Sequence, residues 1–189
     1  MNHRRLPQLW AVLLFCVLSG LPLCRVGAES ASRDDWPITI NLSTVIYPVP
    51  GKAQSWNLSV NSAGRAQLVI GLSGPNTVEF TLPPERLKEI TRLVEEQKFF
   101  KLTLDDAHDY APVHSPEVTL TISHAAGGKT IQLANLEPQP NEPAARRNER
   151  ARFLRVLLAI RRCFTHPEAV DFTESSERIL RELEKNKGP

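Results

Sequence analysis

Apolar and polar residues alternate with a period of two in four successive segments between residues 38 and 82. A period of two is the pattern of a half-buried β-strand, because successive side chains point to opposite faces of a sheet. Prolines, glycines and asparagines separate the segments, so the pattern predicts a meander of four antiparallel strands with its polar face toward water. The apolar positions are Ile38, Ile40, Leu42 and Ile46; Trp56, Leu58 and Val60; Ala66, Leu68, Ile70 and Leu72; and Val78, Phe80 and Leu82.

The period changes from two to 3.6 after Pro83, which predicts an amphipathic helix with prolines at its start. Its apolar face consists of Leu87, Ile90, Leu93 and Val94. Phe99 and Phe100 follow the helix, and we expect both rings to fill the gap between helix and sheet.

A second hairpin and a second helix follow. The alternation resumes at 118–122 and 131–133, and we expect Gly127-Gly128 to turn the chain back between these strands. After a proline-rich connector comes the clearest helical stripe of the chain, which predicts a second helix ending before Pro167. The stripe consists of Phe153, Val156, Leu157, Ile160, Cys163 and Phe164.

These elements predict a two-layer α+β domain, in which an antiparallel sheet of about six strands is packed on one face by two main helices. The domain is expected to span residues 37–166, after a flexible lead-in at 29–36. Residues 167–189 are a mostly polar C-terminal tail, in which Ile179, Leu180 and Leu183 are spaced to allow a short last helix.

Residues 1–28 have the order of a cleavable secretory signal peptide: positive charge at 3–5, an apolar run at Leu9–Leu18, and small residues at 26–28. A membrane anchor is the main alternative. It is disfavoured because the apolar stretch ends by Leu23, short of the roughly 20 residues that a bilayer span needs. We therefore expect a secreted or periplasmic protein.

Cleavage of the leader decides how many cysteines the exported protein keeps. Lipid attachment at Cys16 or Cys24 is disfavoured, because the large residues Phe15 and Leu23 stand where a lipoprotein cleavage site needs a small one. Cleavage before Glu29 would remove both cysteines and leave Cys163 alone. No internal disulfide is then expected, and stability must come from an ordinary core.

Removal of the leader also changes the net charge of the protein. Of the 23 basic residues the leader holds three, Arg4, Arg5 and Arg25, and it holds none of the 21 acidic ones. The remaining chain carries 20 basic against 21 acidic residues and is nearly neutral. The overall charge therefore gives no reason to expect a nucleic-acid partner.

Common catalytic signatures are missing from the sequence, which has no Gly-x-Ser-x-Gly elbow and no phosphate-binding loop. Gly127-Gly128-Lys129 superficially resembles the end of such a loop but joins two predicted strands. Cys163 lies on the apolar stripe of the second helix, where core packing is favoured over nucleophilic chemistry. We predict no catalytic residue, no metal ligand and no cofactor.

The segment from Asp105 to His114 concentrates carboxylates and imidazole groups, which could hold a divalent cation or act as an acid and base. Its spacing matches neither an EF-hand nor a zinc helix. A solvated acidic loop is the favoured interpretation. The alternative is a weak metal-dependent hydrolase built on Asp106, His108 and Asp109.

Arginines are concentrated near the second helix, where seven stand against two glutamates between residues 142 and 162. The candidate contacts to an anionic partner are Arg146, Arg147, Arg150 and Arg155. An acidic glycan, an acidic protein or lipid headgroups would fit them. The favoured interpretation is nevertheless an ordinary polar helix face that pairs with acidic loops.

Two tripeptides, Asn41-Leu42-Ser43 and Asn57-Leu58-Ser59, match the N-glycosylation sequon. They are acceptors only in a eukaryotic source. Otherwise both asparagines are unmodified residues on the polar sides of predicted strands.

The region from Gln54 to Asn135 resembles a family of short secreted bacterial proteins built around a domain of unknown function. The resemblance rests on LKEITRLVEEQKFFKL with its paired phenylalanines, the acidic DDAHDY loop, and the hairpin VTLTISHAAGGKTIQL. It implies export and a compact α+β domain. It implies no catalytic residue.

The sequence therefore favours an exported, non-catalytic module that binds a protein or a glycan through its open sheet face or its arginine-bearing helix. An enzyme at the acidic loop is the second hypothesis. A peripheral membrane factor is the third, and it is disfavoured because the apolar stripe of the second helix is needed for the core.

We predict that the exported protein begins at Glu29, because signal peptidase cleaves after small residues such as those at 26–28. Intact-mass and N-terminal peptide mass spectrometry of the protein recovered from its export compartment would measure this. An intact leader, or a lipid-modified cysteine at the N-terminus, would contradict the prediction.

Overall fold

The computed structural model describes residues 38–46, 54–71, 76–104, 116–166, 169 and 171–185. Over these residues the chain forms one six-stranded antiparallel sheet and three α-helices, which confirms the predicted α+β class. The strands are β1 (Thr39–Ile46), β2 (Gln54–Val60), β3 (Arg65–Ile70), β4 (Asn76–Thr81), β5 (Pro116–His124) and β6 (Gly127–Leu133). The helices are α1 (Pro84–Glu96), α2 (Ala144–Arg161) and α3 (Thr173–Lys185), with a 3₁₀ turn, η1, at Phe99–Lys101.

The strands lie in the order β4-β3-β2-β1-β5-β6. Strands β1 to β4 form the meander, and the second hairpin joins the sheet through pairing of β5 with the free edge of β1. The register places Leu42 of β1 opposite both Leu58 of β2 and Leu120 of β5. Leu58 in turn faces Leu68 of β3. Apolar residues thereby occupy one face of the sheet, and polar residues occupy the other.

All three helices contribute to the core on the apolar face. Helix α2 is the most deeply buried, and nine of its residues are inaccessible or nearly so. Helix α3 lies in the mostly polar C-terminal segment, where the spacing of Ile179, Leu180 and Leu183 allowed a last helix, and it adds Ile179 and Leu183 to the same core. None of the described helices is long and apolar enough to cross a membrane.

The two phenylalanines after α1 have different environments. Lys98 adopts a left-handed conformation, with φ at 49°, and reverses the chain into η1. Phe99 is then fully buried, as expected for a ring between helix and sheet. Phe100 is only half-buried. Its ring packs edge-to-face against the ring of His124, with the two ring centres 4.6 Å apart, and so covers the end of β5.

The hairpin between β5 and β6 turns at Ala125-Ala126, two positions earlier than the expected turn at Gly127-Gly128. Gly127 and Gly128 instead begin β6. A Cβ on Gly128 would lie 2.6 Å from Oγ of Ser123, its cross-strand neighbour. A side chain at Gly128 would therefore require Ser123 to shift, and Gly127 has a φ of 144° that residues with side chains rarely adopt.

A buried ion pair joins α2 to the connector that precedes it. The side chains of Arg150 and Glu142 are 1% and 2% exposed, and Nη2 of the arginine lies 2.7 Å from Oε1 of the glutamate. Nε of Arg150 also donates to both carboxylate oxygens, and Nη1 donates to the carbonyl oxygen of Asn135 at 2.8 Å. The pair therefore fixes the path of the chain from β6 into α2.

We predict that Glu142→Ala lowers the free energy of unfolding by about 3 to 5 kcal/mol, because it leaves a buried guanidinium uncompensated. Replacing both partners, as Glu142→Leu with Arg150→Met, should cost less than the single change. Urea denaturation followed by circular dichroism would measure both.

The matched control is Glu89→Ala, which breaks the exposed Arg86–Glu89 pair of α1. That change should alter stability by no more than about 1 kcal/mol. Equal losses at Glu142 and Glu89 would show that the buried pair has no special role.

Candidate functional site

The arginines at the start of α2 are held within the domain. Arg150 is buried against Glu142 and has almost no exposed surface. Arg146 is partly exposed, and its Nε lies 3.5 Å from the same carboxylate. Arg147 donates from Nη2 to the carbonyl oxygen of Pro140 at 3.1 Å. Three of the four arginines predicted to contact an anion therefore bind the connector that precedes α2.

The fourth candidate, Arg155, lies between helices. Its Nη2 is 2.6 Å from Oε1 of Glu184 on α3, and its Nη1 donates to Oε1 of Gln97 after α1. Arg162 makes a similar link to Glu177 of α3 at 2.7 Å. An external anion would have to compete with these carboxylates for the arginines, so anion binding at this helix stays a prediction.

Arg161 is buried at the end of α2 in an aromatic cluster. Its guanidinium carbon lies 4.6 Å from the ring centre of Phe164, and the rings of Trp56 and Phe172 lie within 6.0 Å. Nη1 donates to the carbonyl oxygen of Phe164 at 2.7 Å. Burial lowers the pKa of Arg161, and the carboxylate of Asp171, 3.7 Å away, acts in the opposite direction. This arginine ties the end of α2 to the sheet through cation–π contacts.

Cys163 is half-buried and less enclosed than its position on the apolar stripe predicted. Its Sγ donates to the carbonyl oxygen of Ala159 at 3.2 Å. Burial raises the pKa of the thiol; the charge of Arg86 lowers it and that of Glu89 raises it further. The reactive thiolate is therefore disfavoured at neutral pH.

The acidic segment from Asp105 to His114 lies outside the described residues. Within the ranges that are described, no three His, Cys, Asp or Glu side chains are grouped so as to hold a metal ion.

The sheet face opposite the helices is a broad polar surface that spans all six described strands. Its side chains are mainly hydroxyls and amides, its charged members are Arg65, Glu79 and Glu117, and it has no aromatic side chain among the described residues. We call this surface the open face. It consists of Thr39, Asn41, Ser43 and Val45; Ser55, Asn57 and Ser59; Arg65, Gln67 and Val69; Thr77, Glu79 and Thr81; Glu117, Thr119, Thr121 and Ser123; and Gly128, Thr130 and Gln132.

Register aligns one polar side chain from every strand across the open face. We call this line the polar row; it runs Glu79, Gln67, Ser59, Asn41, Thr121 and Thr130 from β4 to β6. The hydroxyls of its last two members bond to each other at 2.9 Å. Asn41, Gln67 and Glu79 are exposed, and no residue in the described part of the chain gives their side chains a hydrogen bond or ion pair.

A shallow depression of about 810 Å³ lies on the open face over β1 to β4. Arg65 and Glu79 border it, and no ion pair between these two side chains is found among the described residues. The Asn61 side chain shapes the adjacent β2–β3 turn by accepting hydrogen bonds from the N–H groups of Ala63 and Arg65, both at 3.0 Å. The other polar side chains that line the depression are Thr39, Asn41, Ser59, Gln67 and Thr81.

Sequence reasoning predicted a polar sheet face but named no site on it. Both sequon asparagines, Asn41 and Asn57, are exposed there. The signal that could have identified the polar row is the alternation itself, but the alignment of residues on different strands depends on register.

No model of a known protein family matches the chain, and a search of curated proteins found no match. The resemblance to secreted bacterial proteins of unknown function therefore stays a prediction, and any function must be argued from the site.

We predict that Cys163 reacts with iodoacetamide slowly at neutral pH, and that its rate rises with a midpoint above that of the same cysteine in the unfolded protein. The reason is that burial keeps the thiol protonated. Peptide mapping by mass spectrometry over a pH series would measure the rate at this residue. A midpoint below that in the unfolded protein would instead identify an activated cysteine.

Proposed function

We propose that the protein is an exported, non-catalytic binding module that holds a protein or glycan partner on the open face. The observation that supports this proposal is that Asn41, Gln67 and Glu79 are exposed and have no side-chain partner within the described structure, on a surface that no described helix covers. Exposed amides and carboxylates bound only to water are available for a partner at little cost to the fold.

The chemistry of the open face favours binding over catalysis. Serine, threonine, asparagine and glutamine side chains donate and accept hydrogen bonds but do not exchange protons near neutral pH without an activating base. Its charged members, Arg65, Glu79 and Glu117, lie on three different strands. Such a surface recognises shape and hydrogen-bonding pattern.

The fold supports this role because the sheet fixes in advance the backbone positions from which the side chains of the open face project. Each inner strand is paired on both sides, and the opposite face is packed into the core. A surface that is already ordered loses little conformational entropy when it binds, which favours affinity. The expected export would place this surface outside the cytoplasm.

The experiment compares a face-blocked variant with a matched control. Asn41→Arg with Gln67→Arg places two long charged side chains on the open face, and Asn148→Arg with Gln139→Arg adds the same charge at exposed positions elsewhere. We predict that crosslinking and pull-down from the export compartment retain a partner with the wild type and the control, and lose it with the blocked variant.

Both protein and carbohydrate should be analysed in the eluates, and circular dichroism should show that all three proteins are folded. Retention of the same partner by the blocked variant would contradict the proposal. Failure of the folded wild type to retain any protein or glycan would contradict it as well.

A further inference from the structure

We infer that the occupant of the open face is a neutral linear glycan that lies across the strands along the polar row. This inference rests on the proposed function and narrows its partner to one chemical class.

The spacing of the polar row suits a linear polysaccharide. Neighbouring strands lie about 4.8 Å apart, so the row presents one polar side chain at each interval and extends over about 24 Å. A hexose unit in an extended polysaccharide is about as long as one strand spacing. Consecutive sugars laid across the sheet would therefore meet consecutive members of the row.

The hydrogen-bonding groups of the row match sugar hydroxyls. Asn41 and Gln67 each offer a carbonyl acceptor and an amide donor, and Glu79 offers a carboxylate acceptor. A sugar hydroxyl both donates and accepts, so it can pair with either kind of group. The depression over β1 to β4 contains these three side chains and is the expected centre of the contact.

The charge of the open face argues for an uncharged ligand. Arg65 is its only basic residue and is accompanied by Glu79 and Glu117, and the latter accepts a hydrogen bond from Gln132. Nucleic acids and sulfated glycans require several basic side chains, because their binding depends on neutralising phosphate or sulfate groups. The open face has no such set among its described residues.

The composition of the open face also disfavours a protein partner. Protein interfaces are centred on aromatic residues, methionine and arginine, which bury much apolar area. The described open face has two apolar side chains larger than alanine, Val45 and Val69. A protein or a second copy of this chain would gain little hydrophobic free energy there.

The test is native affinity electrophoresis of the purified protein in gels that contain galactomannan, mixed-linkage β-glucan or heparin. We expect at least one of the two neutral polysaccharides to slow the wild-type protein, with no loss of binding when salt is added. The double variant Asn41→Ala with Gln67→Ala should bind about tenfold or more weakly, since each lost hydrogen bond weakens binding about fivefold. The control Asn148→Ala, an exposed amide on α2, should bind as the wild type does.

The inference is overturned if neither neutral polysaccharide slows the protein, if only heparin does, or if the double alanine variant binds as tightly as the wild type. Sedimentation that shows a dimer dissociated by Asn41→Arg with Gln67→Arg would also overturn it, since a second copy would then cover the face. If the wild type retains a protein partner and the double arginine variant does not, the glycan inference is wrong and the proposed function is still supported. If the double arginine variant retains every partner that the wild type retains, both the proposed function and the glycan inference are wrong.

Discussion

The pairing of β1 with both β2 and β5 is the constraint on which the rest of the structure depends. Strand β1 joins two hairpin systems that are separated in sequence by α1 and η1. Because side chains alternate between faces, this one register decides both which residues enter the core and which residues align outside it. A shift of one residue would move Leu42 to solvent and Asn41 into the core.

Helix α2 contributes much of the core and holds its arginines in contacts within the domain. Its apolar residues belong to the same core as those of the sheet, and several of its arginines bind neighbouring segments. Arg150 binds the connector, Arg155 binds α3, and Arg161 packs on aromatic rings. These arginines therefore form contacts within the domain. The open face, in contrast, exposes hydrogen-bonding groups that have no partner within the described structure.

Much of the fold was predictable, because strand and helix periods are local properties of the chain. The paired apolar positions in β1 to β4 and the stripe of α2 are examples. The order of the strands was not predictable, since alternation sets the face of each side chain but not its neighbouring strand. The turn at Ala125-Ala126 was not predicted either, because the glycines after it belong to β6, where Gly127 has a positive φ and Gly128 lies against Ser123.

By itself the sequence determined which segments become strands or helices and which side of each meets the core. It also indicated a polar face, a nearly neutral domain and a leader for export. Only the tertiary structure decided that Arg150 is buried against Glu142, and that six residues from six strands form the polar row. The physical reason is that periodicity acts over a few neighbouring residues, whereas burial and alignment depend on pairing between segments far apart in the chain.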